Sequence, residues 1–377
     1  MRKGRLFGLL CALAACFTAF GFASCGQPAG SEELEDRYFV YRLYGPASSR
    51  KVNIIGLTEH AAWMERIDIP SEVGGYPVTK LSKSAFVDAM CLSRLTLPET
   101  LETVDVGVFS RCRKLVEVHN KSPYITEDTE NGGLYEYAKY VYTESGSSRI
   151  TLENGGFVVY TENSDRIVVG YEGTETELDV PYGITEIYKN AFAYRENLTS
   201  VTIPETVKYV GGAAFLECDN LEYTEKNGLK YLGNEYNPYL CAVEVENKEM
   251  TAVEIDSACE ILAGRLFYDC KNLPSVEIPE GVKSIGDWAF AYCGLTSVTI
   301  PDSMTRIGEY AFYGCGSLAD VYYTGLASEW EKVKIADKNG ELTDATTYFY
   351  VENEADVPTD GGKYWRYVDG VPTVWDI

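Results

Sequence analysis

A phrase of about 23 residues recurs along this chain of 377 residues, and a period of that length constrains the fold more than any other feature. Its clearest copy runs Ile278-Pro279-Glu280-Gly281-Val282-Lys283-Ser284-Ile285-Gly286-Asp287-Trp288-Ala289-Phe290-Ala291-Tyr292-Cys293, followed by Leu295, Val298 and Ile300-Pro301. One such unit cannot bury its own apolar face. Neighbours must stack, and the expected product is a solenoid that grows by adding turns rather than by enlarging one core.

The repeat phenylalanines fix the register. Phe86 and Phe109 are 23 apart, as are Phe192 and Phe215, and Phe267 and Phe290; Phe312 follows 22 later. These seven rings are expected to stack as a continuous spine, with about seven coils in three blocks. Within a coil, Leu198, Val201 and Ile203 have the short extended pattern of a strand, and Pro204 ends it because proline cannot donate to the ladder. The alanine before the phenylalanine, as in Ala213-Ala214-Phe215, must be small for the ring to reach the axis.

The phrase Ile-Pro-x-x-Val-x-x-Ile-Gly-x-x-Ala-Phe-x-x-Cys-x-x-Leu-x-x-Val-x-Ile-Pro resembles the BspA-type leucine-rich repeat, with residues 278–301 matching nearly throughout. The resemblance implies a β-rich leucine-rich-repeat solenoid with parallel sheets. It also implies an exported or surface-anchored bacterial protein, because some members are adhesins for host matrix proteins or other cells.

The N-terminus reads as a targeting segment. Arg2, Lys3 and Arg5 precede an apolar run over 6–23, and Phe22-Ala23-Ser24-Cys25 supplies small residues before a cysteine. Residues 1–24 are expected to be a lipoprotein signal peptide with Cys25 as the lipidation site; an uncleaved membrane anchor is the alternative. Phe22 stands where such signals usually carry leucine. Cleavage takes the net charge from −24 to −27, which disfavours nucleic acid and anionic lipid surfaces. The expected membrane contact is the N-terminal lipid alone.

The rest divides as follows: a tether over 25–36, an N-terminal cap over 37–66, repeat blocks over 67–120, 173–226 and 251–325, β-hairpin inserts over 121–172 and 227–250, and a C-terminal cap over 326–377. The cap is expected to hold a short helix and a β-hairpin and to seal the open end of the sheet. The inserts are expected to extend sheets rather than form separate domains.

Eight cysteines remain beyond Cys25, and Cys112, Cys218, Cys270, Cys293 and Cys315 each follow the repeat phenylalanine by three. Side chains at equivalent positions of stacked turns run parallel, whereas a disulfide needs converging ones, so they read as small buried hydrophobes. Cys241 and Cys259 lie off this ladder and are the pair left to a disulfide.

No chemistry-bearing set emerges. Two histidines, His60 and His119, leave no basis for a histidine metal site or a nucleophile–base triad. Acidic pairs are too numerous to single one out, and no phosphate-binding loop is present. The expectation is therefore no enzyme, no cofactor and no metal. The outward strand positions Thr199, Ser200, Thr202, Thr296, Ser297, Thr299 and Tyr322 form a candidate binding face for an extracellular protein or glycan. The expected function is a cell-surface binding or adhesion module; a structural scaffold of the envelope and an accessory protein for glycan capture are the alternatives.

Overall fold

The computed structural model describes residues 32–375 except Asp88, Met90 and Asp360. The signal segment, Cys25 and most of the expected tether lie outside the described residues. The tether ends earlier than expected. Leu34–Glu35 pairs antiparallel with Phe39–Tyr44, because the Asp36 carboxylate accepts from the amides of Tyr38 and Phe39, at 2.7 Å each, and closes the turn.

The chain is a β-solenoid of stacked repeats. A typical coil contributes a strand to one parallel sheet, a two-residue strand to a second, and a loop that carries the repeat phenylalanine. In the third block, for instance, Ser275–Glu277, Ser297–Ile300, Asp320–Tyr323 and Thr346–Tyr350 pair in parallel on one wall. Ile261–Leu262, Ser284–Ile285, Arg306–Ile307 and Lys334–Ile335 pair in parallel on another.

The third wall is a ladder of loops. In the coils of the second and third blocks the residues two before and two after the phenylalanine adopt a left-handed conformation; Trp288 and Tyr292 have φ of 62° and 60°. The alternation turns every second amide towards the next coil. The amides of Trp288, Phe290 and Tyr292 donate to the carbonyls of Glu309, Ala311 and Tyr313 at 2.8–3.0 Å. The cysteine three residues on donates back: Cys293 Sγ lies 2.9 Å from Phe267 O, and Cys315 Sγ 3.0 Å from Phe290 O. Cysteine is thus favoured there as a small donor and not as a hydrophobe alone. The eight cysteines of the described residues, Cys241 and Cys259 among them, are buried and free.

The spine of rings is interrupted, not continuous. Phe86 packs on Phe109 at 5.5 Å, Phe192 on Phe215 at 5.5 Å, and Phe290 lies between Phe267 at 4.9 Å and Phe312 at 5.1 Å. Each group belongs to its own core cluster. The breaks fall at the two inserts, and their strands explain why. Phe157–Glu162 and Asp165–Tyr171 are apolar on both faces, the pattern of strands buried on two sides. Phe157, Val159 and Val168 enter the second core, while Val158, Tyr160, Ile167 and Val169 pack with Val116 of the first block. The second insert does the same. Leu229, Tyr231 and Ala242 join the third core, and Leu232, Leu240 and Cys241 join the second. Each hairpin therefore begins one block and packs its other face against the block before it.

Close approach at this second corner requires glycine. A Cβ on Gly264 would overlap the Gly212 Cα. Polar contacts lock the corner from outside. Arg306 Nη1 lies 2.7 Å from Glu186 Oε2, its guanidinium covers the Tyr209 ring at 3.4 Å, and the Tyr209 hydroxyl donates to Asp287 at 2.5 Å. Burial pushes the Glu186 carboxyl above the usual carboxylate range and the Tyr209 hydroxyl well above its ordinary value.

Candidate functional site

The expected binding face does not assemble as one surface. Thr199, Ser200 and Thr202 lie on the strand Ser200–Thr202 or beside it, in a sheet with Glu177–Asp179. Ser200 is exposed, and Thr199 turns its hydroxyl to Thr176 O at 3.0 Å. Thr296, Ser297, Thr299 and Tyr322 belong to a different sheet, with Thr296 Oγ1 donating to Pro274 O at 3.0 Å.

Two of these residues are covered. Thr299 is only 5% exposed, and Tyr322 is half-buried. The C-terminal hairpin, Tyr364–Val368 with Val371–Val374, joins the sheet edge by two residue pairs and then folds back across the face. Trp365 is fully buried, sits 5.3 Å from the Tyr322 ring, and donates Nε1 to Tyr323 O at 2.9 Å. The Tyr367 hydroxyl reaches Glu277 at 2.8 Å. The hairpin roofs the outward face of the third block, so Thr299 and Tyr322 are not available there.

The loop ladder of the third block carries a surface that the strand-based reading missed. Tyr268, Trp288, Tyr292, Tyr310 and Tyr313 form one connected group of rings. Trp288 stacks on Tyr310 at 4.3 Å, and edge contacts of 5.5–5.8 Å link Tyr313 to Trp288, Tyr292 and Tyr310. Tyr268 joins at 5.6 Å from Tyr292. Tyr292 and Tyr313 remain 39% and 38% exposed. Trp288, Tyr292 and Tyr310 occupy left-handed backbone positions, which are costly for bulky side chains. The fold does not demand rings there, since Asn190, Ala213, Glu217 and Asp269 hold equivalent positions. Aromatic residues at those sites in two successive coils were the available signal in the sequence.

A groove of about 810 Å³ adjoins this surface at the corner between the second and third blocks. Residues 213–219 line one side and residues 263–266 with Tyr268 the other; Lys230 and Val243–Val245 of the second insert form the base. Phe215 is half-buried here, its ring stacked on Phe192 alone. Arg265 and Lys248 lie over the Tyr268 ring at 4.5 and 5.7 Å, which joins the groove to the aromatic surface.

Among the described residues no group of three or more His, Cys, Asp or Glu could hold a metal ion, and no helix is long and apolar enough to cross a membrane.

Stacked coils, parallel short strands and a laddered Ala-Phe loop define a leucine-rich-repeat solenoid. The match extends to the family profile: six copies of the BspA type leucine rich repeat region cover residues 63–132, 171–236 and 244–333. The chain belongs to the BspA-type leucine-rich repeat family. Among solved structures it is similar to a leucine rich cell surface protein from Faecalibacterium prausnitzii, with 19% identity over 82% of this chain and 99% of that one and a TM-score of 0.26. It is also similar to leucine-rich repeat proteins from Bacteroides ovatus and Eubacterium ventriosum. The first has 19% identity, covers 90% of this chain and 77% of that one, and has a TM-score of 0.24. The second has 16% identity, covers 84% of this chain and 77% of that one, and has a TM-score of 0.28. No curated protein matches the chain.

Proposed function

We propose that this protein is an exported, lipid-anchored binding module of the bacterial cell surface that adheres to an extracellular protein or glycan. The aromatic loop face of the third block carries this reading. Tryptophan and tyrosine offer large, stiff contact area with a polar edge, and they dominate the energetics of recognition surfaces. Membership of the BspA-type repeat family and the lipidation signal ending at Cys25 support placement outside the cytoplasm. The body needs no catalytic group for this role.

The test is saturable binding of residues 26–377 to arrays of matrix proteins and glycans. Trp288→Ala and Tyr292→Ala are expected to weaken the hit by about tenfold each, with Ser200→Ala unchanged. Equal binding by all three variants would reject the aromatic face. Incorporation of labelled fatty acid, lost in Cys25→Ala, tests the anchor separately.

A further inference from the structure

The loop ladder has two kinds of ending. In the third block its forward edge is closed. The amides of Tyr310, Phe312 and Gly314 donate to Asp337 O at 3.1 Å, Asn339 Oδ1 at 3.0 Å and Glu341 Oε1 at 2.7 Å. Asn339 is buried for this purpose, with Nδ2 tied to Gly308 O and Ala336 O. In the first block the Phe109 amide donates to Gly132 O at 3.0 Å.

The second block ends differently. Asn190, Phe192 and Tyr194 donate to Gly212 O, Ala214 O and Leu216 O in the usual way. The next amides in the series, those of Ala213, Phe215 and Glu217, find no acceptor among the described residues. Across the groove, the carbonyls of Gly264, Leu266 and Tyr268 accept no hydrogen bond from the described residues, although their counterparts Asp287, Ala289 and Ala291 accept from Arg265, Phe267 and Asp269. The cause lies in the second insert. Its hairpin supplies strands to the third block but no Ala-Phe loop, so the ladder lacks a rung at this corner.

We infer that this groove binds an extended peptide segment of a partner protein, which completes the loop ladder and lays an aromatic or aliphatic side chain on the free side of Phe215. Gly212 and Gly264 meet at the closed end, so the segment pairs where the walls part. The Phe215 and Glu217 amides on one side and the Leu266 and Tyr268 carbonyls on the other, donors and acceptors at alternate residues, match a polypeptide backbone, which carries both kinds of group at that spacing. They do not match a sugar or a lipid tail. The rim sets the charge of the segment. Glu217, Asp219, Glu222 and Glu225 are exposed and make no ion pair among the described residues, whereas Lys230 is held by Glu244 at 3.1 Å and Arg265 and Lys248 lie over Tyr268. A segment with lysine or arginine beside its apolar residue fits this rim. The inference is independent of what the aromatic face binds.

The probe is a synthetic peptide with an Ala-Phe-Ala core between lysines, mixed with the full chain, and the readout is residue-resolved hydrogen exchange. The amides of Phe215 and Glu217 are expected to exchange freely alone and to slow by about tenfold or more with peptide bound. Phe192 and Phe290 amides should be protected in both states. The paired change Glu222→Lys and Glu225→Lys is expected to weaken the peptide by about tenfold. Protection of these two amides in the free protein would overturn the inference, as a second copy or the chain's own N-terminal segment would then fill the groove. Peptide binding without added protection, equal binding of a peptide with aspartates in place of lysines, or no binding would overturn it as well.

Discussion

The ammonium of Lys114 donates to the carbonyl of Ala191, 77 residues later in the chain, at 3.3 Å. Lys114 is almost wholly buried, and its second partner is Glu65 Oε1 at 3.2 Å. One side chain thus joins the end of the first block to the backward edge of the second block's loop ladder.

Removing that ammonium strands a carboxylate. Lys114→Met is expected to lower the unfolding free energy by about 3 kcal/mol, because Glu65 is left in a poorly hydrated site with the more distant Arg195 at 3.7 Å as its remaining partner. Adding Glu65→Gln should restore most of the loss. Denaturant melts of the two variants decide this, and equal stability of Lys114→Met and the native chain would refute it.

The position of a ring within its stack sets the cost of losing it. Phe290 is fully buried between two rings, so Phe290→Ala should cost about 4 kcal/mol. Phe215 has one ring neighbour and an open side, and Phe215→Ala should cost about half as much. Unfolding midpoints read the difference.

Burial raises the thiols of Cys112 and Cys259 to about 12, and that of Cys315 to about 11, from an ordinary 9.0. Thiolate is the reactive form, so these residues should resist alkylation at about pH 8 until the chain is unfolded. The folded state holds these protons more tightly than the unfolded one. Stability is therefore full below 9.0 and declines as pH rises towards about 12. Mass spectrometry of native and denatured samples checks the first point, and alkaline melts the second.

Trp365 anchors the roof over the third block. Trp365→Ala is expected to release the hairpin, giving fast proteolysis within residues 351–363 while the repeat core stays protected. An unchanged digestion pattern would show that Tyr367 and its Glu277 contact hold the hairpin alone.

The coil itself was legible in the sequence because its signal is periodic. Phe267, Phe290 and Phe312 declare their stack by spacing, and the hairpin strands at 157–160 and 229–232 declare themselves by apolar runs between turn residues. What those runs could not declare was which neighbour covers their second face. Val158 and Leu232 look like core residues of the block they start, yet they serve the block before. The roofing of Thr299 was equally hidden, since it depends on Tyr367 meeting a residue 90 positions earlier. The open rung at Phe215 is a missing partner, and a pattern search finds what is present.

The two hairpins with both faces buried work as elbows. The second joint engages coils on both sides of its hairpin, since Arg306 reaches Glu186 and the Tyr209 hydroxyl reaches Asp287, so losing a coil from either block also removes part of the joint. Lineages that keep the corner where the incomplete ladder lies are therefore expected to keep the coils that flank it on both sides.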